Sequence, residues 1–186
     1  MVMKPNNAAN VSTGKPKVGG AVFVAPLGTL IPADALEALD AAFENIGYCS
    51  DEGIVNGVSE DNLTVKAYGG QEVLSEPSSR SETYNLTFIE TNLTSMQLRY
   101  GDENVAGTDE HMSILHNAKP RLPHVFAIDT LQGNKVRRQI IPNGRITSIG
   151  DTAFKDNDAI KYPATIAAIP DEAGNTAYEH IDGPGA

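Results

Sequence analysis

Residues 83–89 read Thr-Tyr-Asn-Leu-Thr-Phe-Ile, and this stretch decides the fold class. Its large apolar side chains, Tyr84, Leu86 and Phe88, occupy every second position, and the residues between them are threonine or asparagine. Because successive side chains of a strand point to opposite faces, the alternation predicts a half-buried β-strand with one apolar face and one polar face. A helix would instead bring apolar residues together at spacings of three and four.

Similar short apolar runs lie on both sides of this strand and predict a chain of many strands. They are Gly20–Ala25, Ile46–Ser50, Leu63–Tyr68, Glu72–Leu74, Met112–Leu115, His124–Leu131, Lys135–Ile141, Arg145–Ile149 and Ile160–Ile169. Dipeptides typical of tight turns separate several of them, namely Asn56-Gly57, Gly69-Gly70, Gly133-Asn134 and Asn143-Gly144. Short strands joined by such turns indicate antiparallel pairing.

Two segments show helical spacing instead. Leucine, alanine and phenylalanine recur at helical intervals between Asp34 and Gly47. A second short helix is predicted to begin after the capping residue Asn92 and to end at Gly101. The predicted fold is therefore mainly β, an antiparallel β-sandwich or barrel with one or two short flanking helices.

The chain of 186 residues is predicted to form one domain with two arms. Residues 1–18 and 171–186 are rich in Asn, Ser, Gly and Pro, so both are expected to be flexible and to become ordered only on a partner. Residues 19–170 form the predicted core. No apolar run has the length of a membrane span and the first residues do not resemble a signal peptide, so we expect synthesis in a cytoplasm and no membrane anchor.

The formal charge of −10 is unevenly distributed. Every charged side chain between Asp34 and Asp61 is acidic, whereas the range from Lys119 to Arg145 is strongly basic. An acidic protein is a poor nucleic-acid binder, since that affinity comes from Lys and Arg on phosphates. Opposite stretches suit either docking between copies of the chain or pairing within one subunit. The candidate subunit-interface residues are Asp51, Glu52, Glu60, Asp61, Arg137, Arg138 and Arg145.

Residue patterns that carry enzyme chemistry are missing from the sequence. His111 and His116 are spaced for neither one helix face nor one strand face, and the acidic pair Asp51-Glu52 lacks the surrounding spacing of a calcium loop. The glycine pairs do not match a phosphate-binding loop, and Cys49 has no second cysteine. The sequence therefore predicts no catalytic residue, no metal site and no cofactor, and favours a structural protein that binds copies of itself.

Several phrases, in this order, resemble the major tail tube proteins of long-tailed, siphovirus-type bacteriophages. They are Gly20–Thr29, Leu39–Tyr48 followed by Ser50–Gly53, Val65–Gly70, Glu82–Tyr84 leading to Phe88–Thr91, Tyr100–Val105, and Ile141-Pro142 through Ile149–Asp151. The resemblance covers roughly residues 19–170. It implies a β-sandwich like that of the inner tube of contractile tails and type VI secretion systems.

The resemblance also implies a function. Copies of the chain would form hexameric rings stacked into a tail tube, through which genomic DNA passes into the host without specific binding. The other partners it implies are the tape measure, terminator and distal tail proteins. The protein would be made in the host bacterial cytoplasm and end in the virion. The alternative is another virion module on a similar sandwich, such as a tail terminator, a capsid-decorating protein or a host-binding protein.

Overall fold

The computed structural model describes residues 5–8, 11–17 and 19–183 of the chain. Within these residues it contains one α-helix, α1, which spans Leu93–Tyr100. The strands are β1 (Gly14–Pro16), β2 (Val22–Pro26), β3 (Glu44–Asn45), β4 (Val55–Lys66), β5 (Glu72–Phe88), β6 (Val105–Gly107), β7 (Met112–Ile114), β8 (His124–Gln132), β9 (Lys135–Ile149), β10 (Tyr162–Ala168) and β11 (Tyr178–Asp182).

Nine of these strands form one antiparallel sheet. Its order is β3-β2-β8-β9-β10-β5-β4, with β1 also paired to β8 and β11 also paired to β9. Strands β6 and β7 form a separate two-stranded sheet. The prediction of a mainly β, antiparallel fold is confirmed.

Strand β9 is the corner at which the large sheet folds over on itself. Its first part pairs with β8 and β11, and its last part pairs with β10. Gly144 lies opposite both His124 of β8 and Ala168 of β10. The predicted turn at Asn143-Gly144 is therefore wrong, since one strand runs through it. Glycine is needed here for space, because a Cβ on Gly144 would lie 2.6 Å from the Phe126 ring.

The two halves of the folded sheet enclose one apolar core. Tyr84, Leu86 and Phe88 all point into it, as their alternation predicts. They meet buried side chains of the other half and of the helix, namely Val22, Val24, Met96, Leu98, Phe126, Ile128 and Ile141. Burying such side chains contributes about 1.5–3 kcal/mol each relative to exposure, so this core is the main source of the fold's stability.

Helix α1 begins and ends as predicted. The Asn92 side chain accepts a hydrogen bond from the Ser95 amide at 2.8 Å, the Ser95 hydroxyl accepts from the Asn92 amide at 3.2 Å, and Gly101 is the C-cap. These reciprocal bonds satisfy amides that a helix start leaves free.

In the described ranges, no helix is long and apolar enough to cross a membrane.

The helix predicted between Asp34 and Gly47 does not form. Residues 31–43 instead make an irregular strap over the outer face of the sheet, packed on Val125 and Ile140. The Arg138 guanidinium donates a hydrogen bond of 2.6 Å to the Glu37 carbonyl, which a helix would use for itself. A helix this short is marginal alone, so contacts with the sheet override its weak helical preference.

Both predicted arms contain residues that belong to the sheet. Strand β1, at Gly14–Pro16, pairs with β8, and strand β11, at Tyr178–Asp182, pairs with β9. Both arms were expected to be flexible until assembly, but these two strands are already paired within the subunit. Other residues of the predicted arms, 1–4, 9–10, 18 and 184–186, lie outside the described residues. The strand predicted at Ile46–Ser50 is reduced to β3, just before it, and one bridge from Cys49 to Phe88.

Candidate assembly surfaces

The hairpin of β4 and β5 extends beyond the body of the domain. The two strands pair from Val55 opposite Asn85 to Lys66 opposite Glu72, and nearly every residue of β4 is exposed. The turn contains Gly69 and Gly70, with φ angles of 101° and 90° that favour glycine, as the sequence predicts. Asn56-Gly57, predicted as a turn, lies inside β4 instead. A two-stranded ribbon is marginally stable in water, so its outer half is a candidate contact surface.

The outer half of this hairpin has one apolar face. Leu63 lies opposite Glu76, and Val65 lies opposite Leu74, so these four side chains share a face. Leu63, Val65 and Leu74 are 56%, 42% and 42% exposed, which leaves apolar surface uncovered. The other face carries mainly polar side chains, including Thr64 opposite Ser75. We call Leu63, Val65, Leu74 and Glu76 the hairpin face.

The base of the hairpin is held by a nearly buried carboxylate. Glu82 accepts hydrogen bonds from Asn56, Tyr84, Arg80 and Thr176, and the Asn56 amide nitrogen lies 2.9 Å from Glu82 Oε1. Burial raises the pKa of Glu82, but the four donors outweigh it and lower that pKa below its usual value. The cluster connects the hairpin base to the segment before β11, and no sequence motif announces it.

Among the predicted acidic interface residues, two lie on the hairpin and two on a loop. Glu60 pairs with Arg80 at 3.4 Å, and Asp61 accepts a hydrogen bond from Ser79 at 2.8 Å. Asp51 and Glu52 are exposed in the loop before β4 and, within the described chain, have no hydrogen-bond or ion-pair partner. They remain candidates for contact with a neighbouring subunit.

The predicted basic interface residues differ sharply in exposure. Arg138 is 2% exposed and forms two hydrogen bonds with Asp129, of 2.7 and 2.8 Å. Its burial contradicts the prediction that it contacts another subunit, because the strap covers it. Arg137 is half-buried and pairs with Glu179 of β11. Arg145 is exposed on β9 and has no partner among the described residues.

Part of the predicted attraction between the acidic and basic stretches acts within the subunit. Arg138 comes from the basic stretch, and its guanidinium reaches carbonyls of Asp34 and Glu37 in the acidic stretch. The Asp34 carboxylate accepts hydrogen bonds from the backbone amides of Glu37 and Leu36, which lower its pKa. Of the two alternatives left open by the sequence, pairing within the monomer thus accounts for Arg138.

An open groove of about 1350 Å³ brings two of the remaining candidates together. It lies between the segment around β1 and the loop before β4, and both Asp51 and Arg137 line it. Apolar side chains, including Ile54 and Ile128, and polar side chains both line the groove. The opposite charges of Asp51 and Arg137 in its lining make the groove a second candidate contact surface.

Helix α1 and the loop that follows β7 carry two arginines that the sequence analysis did not single out. Arg99 is buried, donates to the carbonyls of Pro163 and Gly150, and lies 5.6 and 5.4 Å from the ring centres of Tyr100 and Tyr162. The Arg121 Nε donates a hydrogen bond of 2.6 Å to the Arg99 carbonyl. The basic character of the Lys119–Arg145 range is the signal that could have pointed to Arg121.

The described residues contain no group of three or more His, Cys, Asp or Glu side chains placed to hold a metal ion. Cys49 is partly buried, and burial, with a smaller effect of the Glu90 charge, raises its pKa to about 11. The thiol therefore stays protonated near neutral pH, where it is a poor nucleophile. The side chains with well-defined partners are those that hold strands and strap together.

Comparisons with known proteins found one matching family model and several structural alignments. A family model described as phage tail tube protein matches residues 5–183. Two solved structures align with the fold at a TM-score of 0.42 and 14% identity, over 89% of this chain: a chain from the tail of an empty GTA particle, solved with helical refinement in C6 symmetry, and one from the virion of a native gene transfer agent particle. The alignments cover 95% and 98% of those chains, respectively. No curated protein matches the sequence.

Proposed function

The chain belongs to the phage tail tube protein family, and on this premise we propose that its copies form hexameric rings that stack into a tube for DNA ejection. Membership of the family makes the protein a structural component of the virion tail. Six copies per ring is what the resemblance to major tail tube proteins implies. A structural role also agrees with the buried polar side chains Glu82, Arg99 and Arg138, whose hydrogen bonds join strands, helix and strap. We propose no enzymatic activity for it.

The observation that carries the proposal is the hairpin of β4 and β5. An isolated subunit leaves the apolar side chains of the hairpin face exposed to water. Contact with another subunit would cover them, which contributes roughly 25 cal/mol per Å² of apolar surface removed from water. Because every copy has both a hairpin and the surface that receives it, such head-to-tail contacts repeat without limit along a tube.

A second observation supports the conduit. The face of β5, β10 and β9 that points away from the core carries small polar side chains, including Asn85, Thr147 and Thr165. The Thr165 hydroxyl donates a hydrogen bond of 2.7 Å to the Asn85 side-chain oxygen, so these two neutral side chains pair across the strands. We propose that this face lines the lumen. Neutral hydroxyl and amide groups predominate on this face, where Arg145, opposite Ala167, is the single exposed cation of β9, so in a protein of charge −10 DNA would be held only weakly.

We further propose contacts between the tube and the tape measure, terminator and distal tail proteins, and synthesis in the host bacterial cytoplasm. The open groove and the loop residues Asp51 and Glu52 are available for such contacts.

Negative-stain microscopy of the purified protein tests the proposal directly. The expected result is hollow tubes, or rings that average with sixfold symmetry. A protein that stays monomeric at high concentration, across low and high salt, would contradict the proposal and favour a capping or binding role.

A further inference from the structure

Arg99 and Arg121 carry two positive charges close together without a carboxylate partner. No described Asp or Glu lies within ion-pair distance of either guanidinium, although seven Lys or Arg ion pairs occur elsewhere among the described residues. Arg99 is 4% exposed, and its buried Nε has no acceptor. Burying a guanidinium without a counter-ion costs free energy, so a negative charge supplied from outside the subunit would stabilise this site.

Arg121 is the member of the pair that a partner can reach. It is partly exposed, its Nε is committed to the Arg99 carbonyl, and its terminal nitrogens have no acceptor among the described residues. Burial lowers its pKa, and repulsion from Arg99 lowers it further. Two terminal N–H groups in one plane match the two oxygens of a carboxylate.

Exposed apolar side chains lie on both sides of Arg121 along the same loop. Leu115 and Leu122 are 62% and 55% exposed. The loop itself is held in place by Asn117, whose side-chain amide donates a hydrogen bond of 2.7 Å to Asn104. We call Leu115, Arg121 and Leu122 the arginine loop. It combines exposed apolar surface with a cation that has no ion-pair partner in the described chain.

The hairpin face is the complement of the arginine loop. It has the apolar side chains Leu63, Val65 and Leu74, and Glu76 lies among them. Glu76 is exposed and has no hydrogen-bond or ion-pair partner in the described chain. When the apolar face is covered, this carboxylate loses water and requires a cation. Each surface therefore supplies the charge that the other lacks.

We infer that the hairpin face of one copy docks on the arginine loop of a second copy, with Glu76 accepting hydrogen bonds from Arg121. The inference rests on the proposed function, because it requires that copies assemble. It names the receiving surface of the hairpin and the ion pair that sets the register. The pair would be shielded from solvent on both sides by leucine and valine side chains, where such pairs are specific.

A charge-swap experiment in the full-length protein tests the pair. Arg121→Glu and Glu76→Arg should each slow tube formation at least about tenfold, measured by light scattering and microscopy, since close charge pairs at interfaces couple by about 1.5 kcal/mol or more. The double variant R121E/E76R should recover most of the wild-type rate. Lys119→Glu is the matched control: it lies two residues from Arg121 but already pairs with Glu103 on its own subunit, and should change the rate less than about threefold.

Monomer stability separates docking from folding. Arg121→Gln keeps a donor for the Arg99 carbonyl and removes a repelling charge, so its thermal midpoint should equal or exceed that of the wild type while its assembly slows. A double variant no faster than the single ones, or an equal effect of Lys119→Glu, overturns the inference and leaves the proposed function standing if wild-type tubes form. Failure of the wild type to form tubes at all overturns both.

Discussion

Asp129 and Arg138 form a bidentate ion pair in which both side chains are almost completely buried, at 1% and 2% exposure. The pair lies on the outer face of the sheet, between β8 and β9, and the strap of residues 31–43 covers it. Lys17 adds a third member, with its Nζ 3.3 Å from the same carboxylate. One buried carboxylate thus holds β9, the strap and the segment after β1 in one arrangement.

Asp129→Ala is expected to destabilise the subunit strongly. It leaves Arg138 buried without a counter-ion, which costs roughly 3–5 kcal/mol, and should lower the midpoint of chemical unfolding accordingly. Arg137→Gln removes the neighbouring, half-exposed pair with Glu179 and should cost no more than about 1 kcal/mol. Similar losses from both variants would show that the buried pair has no special weight.

Gly144→Ala tests the corner of β9. Its new Cβ would lie 2.6 Å from a buried Phe126 ring carbon and 3.0 Å from Ile166, so we expect a loss of about 1–3 kcal/mol in the free energy of unfolding. Gly14→Ala is the control, since nothing lies within 4 Å of the added atom. Equal thermal midpoints for the two variants would contradict the proposed crowding.

Glu82 should contribute to the acid sensitivity of the subunit. Its folded pKa lies below the unfolded value of about 4.5, so its contribution is present above that pH and is lost as the pH falls through the folded pKa. Glu82→Gln should therefore lose less stability than the wild type between about pH 5 and pH 3. The measurement is chemical unfolding at several pH values, and parallel curves for the two proteins would rule this contribution out.

The outer half of the hairpin should be needed for assembly and dispensable for folding. Replacing residues 61–79 by Asn-Gly creates a two-residue turn directly after Glu60 and before Arg80, which remain opposite each other. Since the removed residues are almost all exposed, the monomer should keep its thermal midpoint. Microscopy should show no tubes, and normal tubes would contradict the role given to the hairpin.

Hydrogen exchange distinguishes the parts of the predicted arms. Amides of β11 bonded to β9 should be protected in the isolated subunit, because both strands belong to the same sheet. Residues 11–13, which have no regular pairing, should exchange quickly in the monomer. Rapid exchange throughout β11 would contradict its pairing with β9 and would instead agree with the flexible arm that its composition predicts.

Local sequence patterns were enough to predict features that depend on a few neighbouring residues. The alternation of Tyr84, Leu86 and Phe88 predicted a strand and its buried face, and Asn92 and Gly101 predicted the ends of α1. The resemblance to tail tube proteins rested on short stretches of sequence that occur in a fixed order. The family model that matches the chain agrees with it. The fold class and the structural role followed from these features.

The sequence by itself determined the central strand around Tyr84, the caps of α1, the hairpin turn at Gly69-Gly70 and the segregation of charge, because each depends on residues close together in the chain. Tertiary structure decided which charges are available to a partner. Asp129 and Arg138 are nine residues apart along the chain, yet their burial depends on a strap roughly a hundred residues away, at Asp34 and Glu37. Strand alternation places the adjacent Arg137 and Arg138 on opposite faces, but only the packed chain decides that Arg138 is buried under the strap while Arg137 stays half-exposed.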